Sequence, residues 1–189
     1  MSQPNGIIVR DAASSESDIV RQVMLGAYEQ YAPFIPESMW EPYRAAISAS
    51  VEGDGPSDRL VALWDGEIVG AAQVFDGSES AYGRAELAIF GPIIRYVSVL
   101  PKARGRGIAT ALLKETAARS LARGYNVLHL HTSDMMASAV KLYERLGFER
   151  AYDKEFNNGE HLVKSYRLYL PKSALLFGGG ESSIRQEAL

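Results

Sequence analysis

Residues 104–109 read Arg-Gly-Arg-Gly-Ile-Ala, two arginines alternating with two glycines where an apolar run gives way to helical periodicity. Glycine is poor helix material, and positive charge at a helix start opposes the macrodipole unless something negative sits there. The first four N–H groups of a helix have no intrahelical acceptor. Gly105 and Gly107 let a ligand come close to the backbone, and Arg104 and Arg106 add full charges. Together these make a seat for a phosphate or pyrophosphate. The alternative is a solvated basic helix start whose glycines only turn the chain. Two familiar phosphate cradles are excluded by position. No G-x-x-x-x-G-K-[ST] string occurs, and G-x-G-x-x-G is met by Gly105 and Gly107 but broken at Thr110.

Few other side chains suggest chemistry unaided. There is no cysteine, which removes disulfides, thiolate metal sites and a cysteine nucleophile. His129 and His131 share one face of an apolar stretch, as metal-binding His-x-His pairs do. A third ligand would have to come from His161 or a carboxylate, and no metal is expected. Five aromatics, Tyr28, Tyr31, Phe34, Trp40 and Tyr43, cluster in and around residues 28–43. They suit either the lining of a pocket for an apolar or cationic amine or the packing that pins two helices to a sheet.

The elements that must position these groups follow from hydrophobic patterning. The chain has 189 residues, 47% hydrophobic and 23% charged, the profile of one globular domain with a full core. A net charge of −3 supplies no global field towards nucleic acid or an anionic membrane, so neither is an expected partner. The opening residues MSQPNGIIVRDA lack the basic-then-apolar pattern of an export signal, and the expected location is cytoplasmic. A first strand is expected at 7–10, helices at 16–31 and 36–51, and a polar loop at 52–58. Asp65-Gly66 between apolar runs predicts a hairpin of strands 59–64 and 67–75. Residues 76–84 read as a loop, a mobile one. Then come a strand at 93–99, a helix at 104–122, a strand at 126–132 and a helix at 136–146. Two last strands are expected at 148–156 and 162–170, with a turn at Asn157-Asn158-Gly159. Residues 171–189 read as a frayed tail after a single domain at 1–170. The order is that of a mixed α/β sheet, and 93–132 is a βαβ crossover whose two strands lie parallel.

Arg104 to Ala109 also fits [RQ]-x-x-G-x-[GA] directly after the strand Tyr96-Val97-Ser98-Val99, and some thirty residues on, Ala139, Leu142, Tyr143, Gly147 and Phe148 form a second pattern. In this the sequence resembles the GNAT superfamily, the Gcn5-related N-acetyltransferases, strongly over residues 93–150 and in element order before that. The resemblance implies an α+β fold with a mostly antiparallel sheet and a splayed central parallel strand pair. It implies acetyl-CoA as co-substrate and a small-molecule or peptide amine as acceptor. Backbone groups of Val97 and Val99 would meet the pantetheine arm, and the amides of Arg104, Gly105, Arg106, Gly107, Ile108 and Ala109 the pyrophosphate. The amine would attack the thioester directly. Tyr143 would protonate the leaving thiolate, a phenol being protonated at neutral pH. The general base is left open between Glu86, His131 and a water chain, because the position where relatives carry a glutamate holds Ile93. Met136 stands where relatives often carry asparagine, so contacts to CoA there are expected to be apolar or absent. Homodimerisation, common in that family, is compatible with this reading. So is a non-catalytic acyl-CoA-binding module on the same fold.

Overall fold

A computed structural model describes residues 6–159 and 161–178 of the chain. One sheet of eight strands organises it. In chain order these are β1 (Ile7–Asp11), β2 (Asp58–Trp64), β3 (Glu67–Phe75), β4 (Ile93–Val99), β5 (Val127–Thr132), β6 (Glu149–Arg150), β7 (Phe156–Asn157) and β8 (Leu162–Tyr169). The spatial order is β1-β2-β3-β4-β5-β8-β6, with β7 also pairing to β8. Every pairing is antiparallel except β4 with β5. The expected parallel pair and mostly antiparallel sheet are therefore present.

Both faces are covered. On one lie α1 (Ser17–Tyr28) and α2 (Glu37–Ser50), whose Val23, Met24 and Ile47 pack against Val61, Ala71 and Tyr96. On the other lies α4 (Ile108–Ala122), whose Ile108, Leu112 and Leu113 meet Leu60, Ala62, Ile94 and Leu128. Burial on both faces explains why the middle strands read as near-continuous apolar runs rather than strict alternation. The β2–β3 hairpin turns at Asp65 and Gly66, both at positive φ (49° and 80°), as a two-residue turn matched to strand twist requires.

Four expectations need correction. The helix placed at 104–122 starts at Ile108, because Arg104 is extended and Gly105 and Gly107 lie at φ 74° and 82°, outside helical space. Residues 76–84 are not simply a loop. They hold α3 (Ser78–Tyr82), ended by Gly83 at φ 67° and anchored by buried Ala81 in a cluster with Phe75, Leu87, Ile89 and Ile93. The strand expected at 148–156 is split into β6 and β7 by a turn at Tyr152–Lys154, where the Lys154 ammonium donates 2.9 Å to the Leu87 carbonyl. Beyond residue 170 the chain folds back through a turn at Leu170–Lys172 and α6 (Ala174–Phe177), with Leu170 fully buried and Leu175 and Leu176 packed on the core. Residues 179–189 of the expected tail lie outside the described residues. Between β5 and β6 stands α5 (Ala137–Arg145), which carries Tyr143.

Candidate active site

The cleft begins as a fault in β4. Gln73 pairs with Arg95 and Ala71 with Ser98, so Ala72 alone faces both Tyr96 and Val97. This is a β-bulge, and Tyr96 carries it at φ 53°, a left-handed conformation that costs a residue with a side chain about 1–3 kcal/mol. A bulge bends the strand, and β4 pairs with β5 only through Ile93–His129 and Ile94–Leu130 before the two diverge. It also resets the alternation of faces. Arg95 and Tyr96, consecutive in sequence, now point to the same side, and the Arg95 guanidinium donates 2.9 Å to the Tyr96 hydroxyl. Past the bulge, β4 presents an edge that β5 does not cover. Successive N–H groups face opposite edges of a strand, and that of Leu100 donates to the Val69 carbonyl of β3 at 2.9 Å. The Val99 N–H therefore faces the gap.

At the end of that gap sits the arginine–glycine loop. The first backbone bond of α4 is Ala111 N–H to Gly107 C=O, 2.9 Å, and no side chain caps the helix. The N–H groups of Ile108, Ala109 and Thr110 thus point out of its N-terminus. A Cβ on Gly105 or Gly107 would meet nothing within 4 Å, so these glycines are needed for their positive φ rather than for tight packing. Arg106 stacks over Trp64 at 3.8 Å and Arg104 reaches the Ala27 carbonyl at 3.3 Å; neither forms an ion pair with a described carboxylate. Uncapped amides, left-handed glycines and two free guanidinium groups fit a pyrophosphate.

Between the splayed strands and α1–α2 lies a cavity of 470 Å³. Tyr143, Val97 and Met136 line it, as do Tyr28, Tyr31 and Tyr43. The aromatic group read from the sequence therefore divides: three tyrosines face the cavity, Trp40 is buried in the core, and Phe34 is 75% exposed. Tyr143 is buried against Phe148, ring centroids 5.9 Å apart. Burial, with a smaller contribution from Tyr31, raises its pKa well above the phenol value, so its proton is retained at neutral pH.

The two base candidates fare differently. Glu86 is not brought to the cleft: its side chain is 66% exposed and pairs with Arg84 at 3.2 Å. His131 does line the cavity, but both ring nitrogens are engaged. Nε2 lies 3.2 Å from the Lys154 carbonyl, which can only accept, so Nε2 carries the hydrogen. Nδ1 then accepts from the Tyr82 hydroxyl at 3.0 Å. Burial pushes the His131 pKa down to about 4. A neutral imidazole fixed in this way cannot take a proton directly from a substrate. His129 does not line the cavity.

Among the cavity residues not singled out from the sequence are Tyr82, Arg95, Thr132 and Ser133. Thr132 is only 4% exposed, and its hydroxyl and that of Ser133 have no partner among the described residues. An arginine inside the apolar run Ile93-Ile94-Arg95-Tyr96-Val97 was the available signal for one of them.

With this geometry stand the likenesses to known proteins. Residues 21–148 match the Acetyltransferase (GNAT) family. N-acetyltransferase 8B of Rattus norvegicus is 33% identical over 129 residues, 62% of this chain and 56% of that protein. The chain thus spans little more than half the length of that relative. An acetyltransferase of the GNAT family from Streptococcus agalactiae superposes with a TM-score of 0.62 at 19% identity, covering 87% of this chain and 95% of the other. A GNAT family acetyltransferase from Brucella melitensis, solved in complex with acetyl-CoA, gives 0.57 at 20% identity, covering 89% and 91%. At such identities the structures speak for the fold. The chain belongs to the GNAT acetyltransferase family.

Proposed function

We propose that the protein is an acetyl-CoA-dependent N-acetyltransferase that moves an acetyl group to a primary amine. The observation that carries this reading is the parting of β4 from β5. Past Ile94 the edge of β4 is not covered by β5, the uncapped N-terminus of α4 follows that strand in the chain, and Val97 and Tyr143 line the cavity beside it. The amides of residues 105–109, with Arg104 and Arg106, hold the pyrophosphate, and Val97 and Val99 offer backbone groups to the pantetheine arm. Acetyl-CoA supplies the activated acyl group as a thioester.

The residues of the chain do the rest. A neutral amine puts its lone pair on the carbonyl carbon; the C–N bond forms and the C–S bond breaks. The Val99 N–H faces the gap and stabilises charge gathering on the carbonyl oxygen, the role in which one donor is worth roughly 10²–10³ in rate. The Tyr143 hydroxyl gives its proton to the departing sulfur. The amine gives one up through the Tyr82 oxygen towards His131 or to water. No enzyme nucleophile is required, in keeping with a chain without cysteine. The domain carrying this activity is taken as residues 1–170 with the packed turn and α6 behind it.

The test is a Tyr143→Phe variant read in two ways. Acetyl-CoA should raise the melting temperature of both proteins, and ATP or NAD should not. At about 100 times the dissociation constant a ligand adds roughly 2.7 kcal/mol, several degrees for a domain of this size. Free-thiol release with an amine panel should fall about 10²-fold or more in the variant. Equal thiol release by both proteins would remove Tyr143 from the chemistry. Binding without transfer in the wild type would leave an acyl-CoA-binding module.

A further inference from the structure

The cavity carries one full charge with no counterpart among the described residues. Most half-buried arginines here are neutralised: Arg10 by Glu16, Arg21 by Asp18 and Arg119 by Asp11, each at 2.7 Å. Arg95 lines the cavity and pairs with no described carboxylate. Its guanidinium bonds only the Ala81 carbonyl and, at 2.9 Å, the Tyr96 hydroxyl. Its guanidinium carbon lies over two rings, 4.4 Å from the centroid of Tyr82 and 4.5 Å from that of Tyr96. Two of its five N–H donors are thus engaged and the side chain is held in place, while the remaining donors are free. A half-buried guanidinium keeps its charge, and leaving it without an anion is costly.

The rest of the lining points the same way. Among the described residues the cavity wall holds no aspartate or glutamate, and its one described side chain that is always charged is Arg95, which repels a second ammonium group on a substrate. Of the apolar and cationic amines that the sequence admits, the described wall suits the apolar. Thr132 and Ser133 also border the cavity, with their hydroxyl oxygens buried in its wall. The opposite wall, Tyr28, Tyr31 and Tyr43, accepts an apolar body.

We infer that the acceptor is an amine that also bears a carboxylate, with an apolar side group: a free amino acid of apolar type, its carboxylate held by Arg95. This rests on the acetyl-transfer reading above and deepens it. Arg95 then determines specificity and does no proton chemistry. A peptide N-terminus carries an amide where the free amino acid carries its carboxylate, and is disfavoured for that reason.

Three acceptors sharing one ring and one carbon chain test it: L-phenylalanine, L-phenylalaninamide and phenethylamine, with leucine, leucinamide and isoamylamine as a smaller set. In at least one set kcat/KM should be highest for the amino acid, although the less basic amide has more of its amine in the attacking form. Arg95→Gln should lower that value about 30-fold or more and level the three acceptors, while the acetyl-CoA-induced rise in melting temperature stays as in the wild type. Arg95→Lys should recover part of the preference. The products read the same contact without turnover. N-acetylphenylalanine or N-acetylleucine should raise the melting temperature of the wild type, and its carboxylate-free counterpart should not. Equal use of amine and amino acid overturns the inference. So does equal stabilisation by both members of each product pair, or by neither. If acetyl-CoA itself gives no rise, the acetyl-transfer reading is what has failed, and the product pairs still decide the role of Arg95.

Discussion

Tyr82 and His131 are 49 residues apart in the chain and 3.0 Å apart at their polar atoms. That bond, with the Lys154 carbonyl on the other side of the ring, makes His131 a positioned acceptor for the Tyr82 proton and not a free base. Its pKa near 4 has two consequences. The first is kinetic: acetyl transfer should rise with pH as the acceptor amine deprotonates, with no inflection near 6.5 from this histidine, as a pH profile of kcat/KM would show. The second concerns stability. His129 is also lowered to about 4, chiefly by burial and then by Arg167 and Lys154. Both histidines bind protons more readily when unfolded, so stability rises with pH across the window from about 4 to 6.5 and is lost as pH falls through it. Glu16, lowered from 4.5 to about 2 mainly by its hydrogen bond to Arg10, acts in a lower window. Melting temperatures between pH 4.5 and 7.5 should therefore slope upward, and His129→Gln should flatten part of that slope without touching the cavity.

Helix α4 shows how one contact sets the position of a binding seat. A Cβ on Gly70 of β3 would lie 2.8 Å from Ile108 Cγ2 and 3.1 Å from the Ser98 carbonyl oxygen. Ile108 is the first residue of α4 and is buried, so the helix start lies as close to the sheet as Gly70 allows. Gly70→Ala should push the start of the helix outward. Overpacking of this kind costs about 1–3 kcal/mol, and acetyl-CoA affinity should fall along with the melting temperature. A variant that loses stability but binds acetyl-CoA with unchanged affinity would show that the seat does not depend on this contact. The sequence marked this helix well, including its stop at Gly124, but set its start four residues early. Helical periodicity does not see that Gly105 and Gly107 take positive φ, since glycine is as ready for one sign as for the other.

Across the whole molecule, the segment after β8 belongs to the structural core. Leu170 is fully buried and its N–H donates 2.8 Å to the Asn126 carbonyl at the start of β5. Leu170→Ala should cost about 2–5 kcal/mol, seen as a lower denaturant midpoint at unchanged m. The acidic balance of the chain coexists with three arginines along one cleft, Arg95, Arg104 and Arg106, that no described carboxylate neutralises; charge is arranged by site and not by total.

What the sequence by itself determined is what local rules encode. The βαβ unit, the Asp65-Gly66 hairpin, the arginine–glycine loop before α4 and the helix that carries Tyr143 each arise from residues near one another in the chain. The tertiary structure decided the cleft. The bulge at Tyr96 bears no mark in the sequence, because the residue in left-handed backbone is a tyrosine and not a glycine. Yet that one extra residue turns Arg95 and Tyr96 to the same face and parts β4 from β5. Glu86 stays outside the cavity and Tyr82 lines it. Which side chain reaches the gap depends on how α3 packs on Phe75 and Ile93, a contact between segments whose own patterns do not refer to each other.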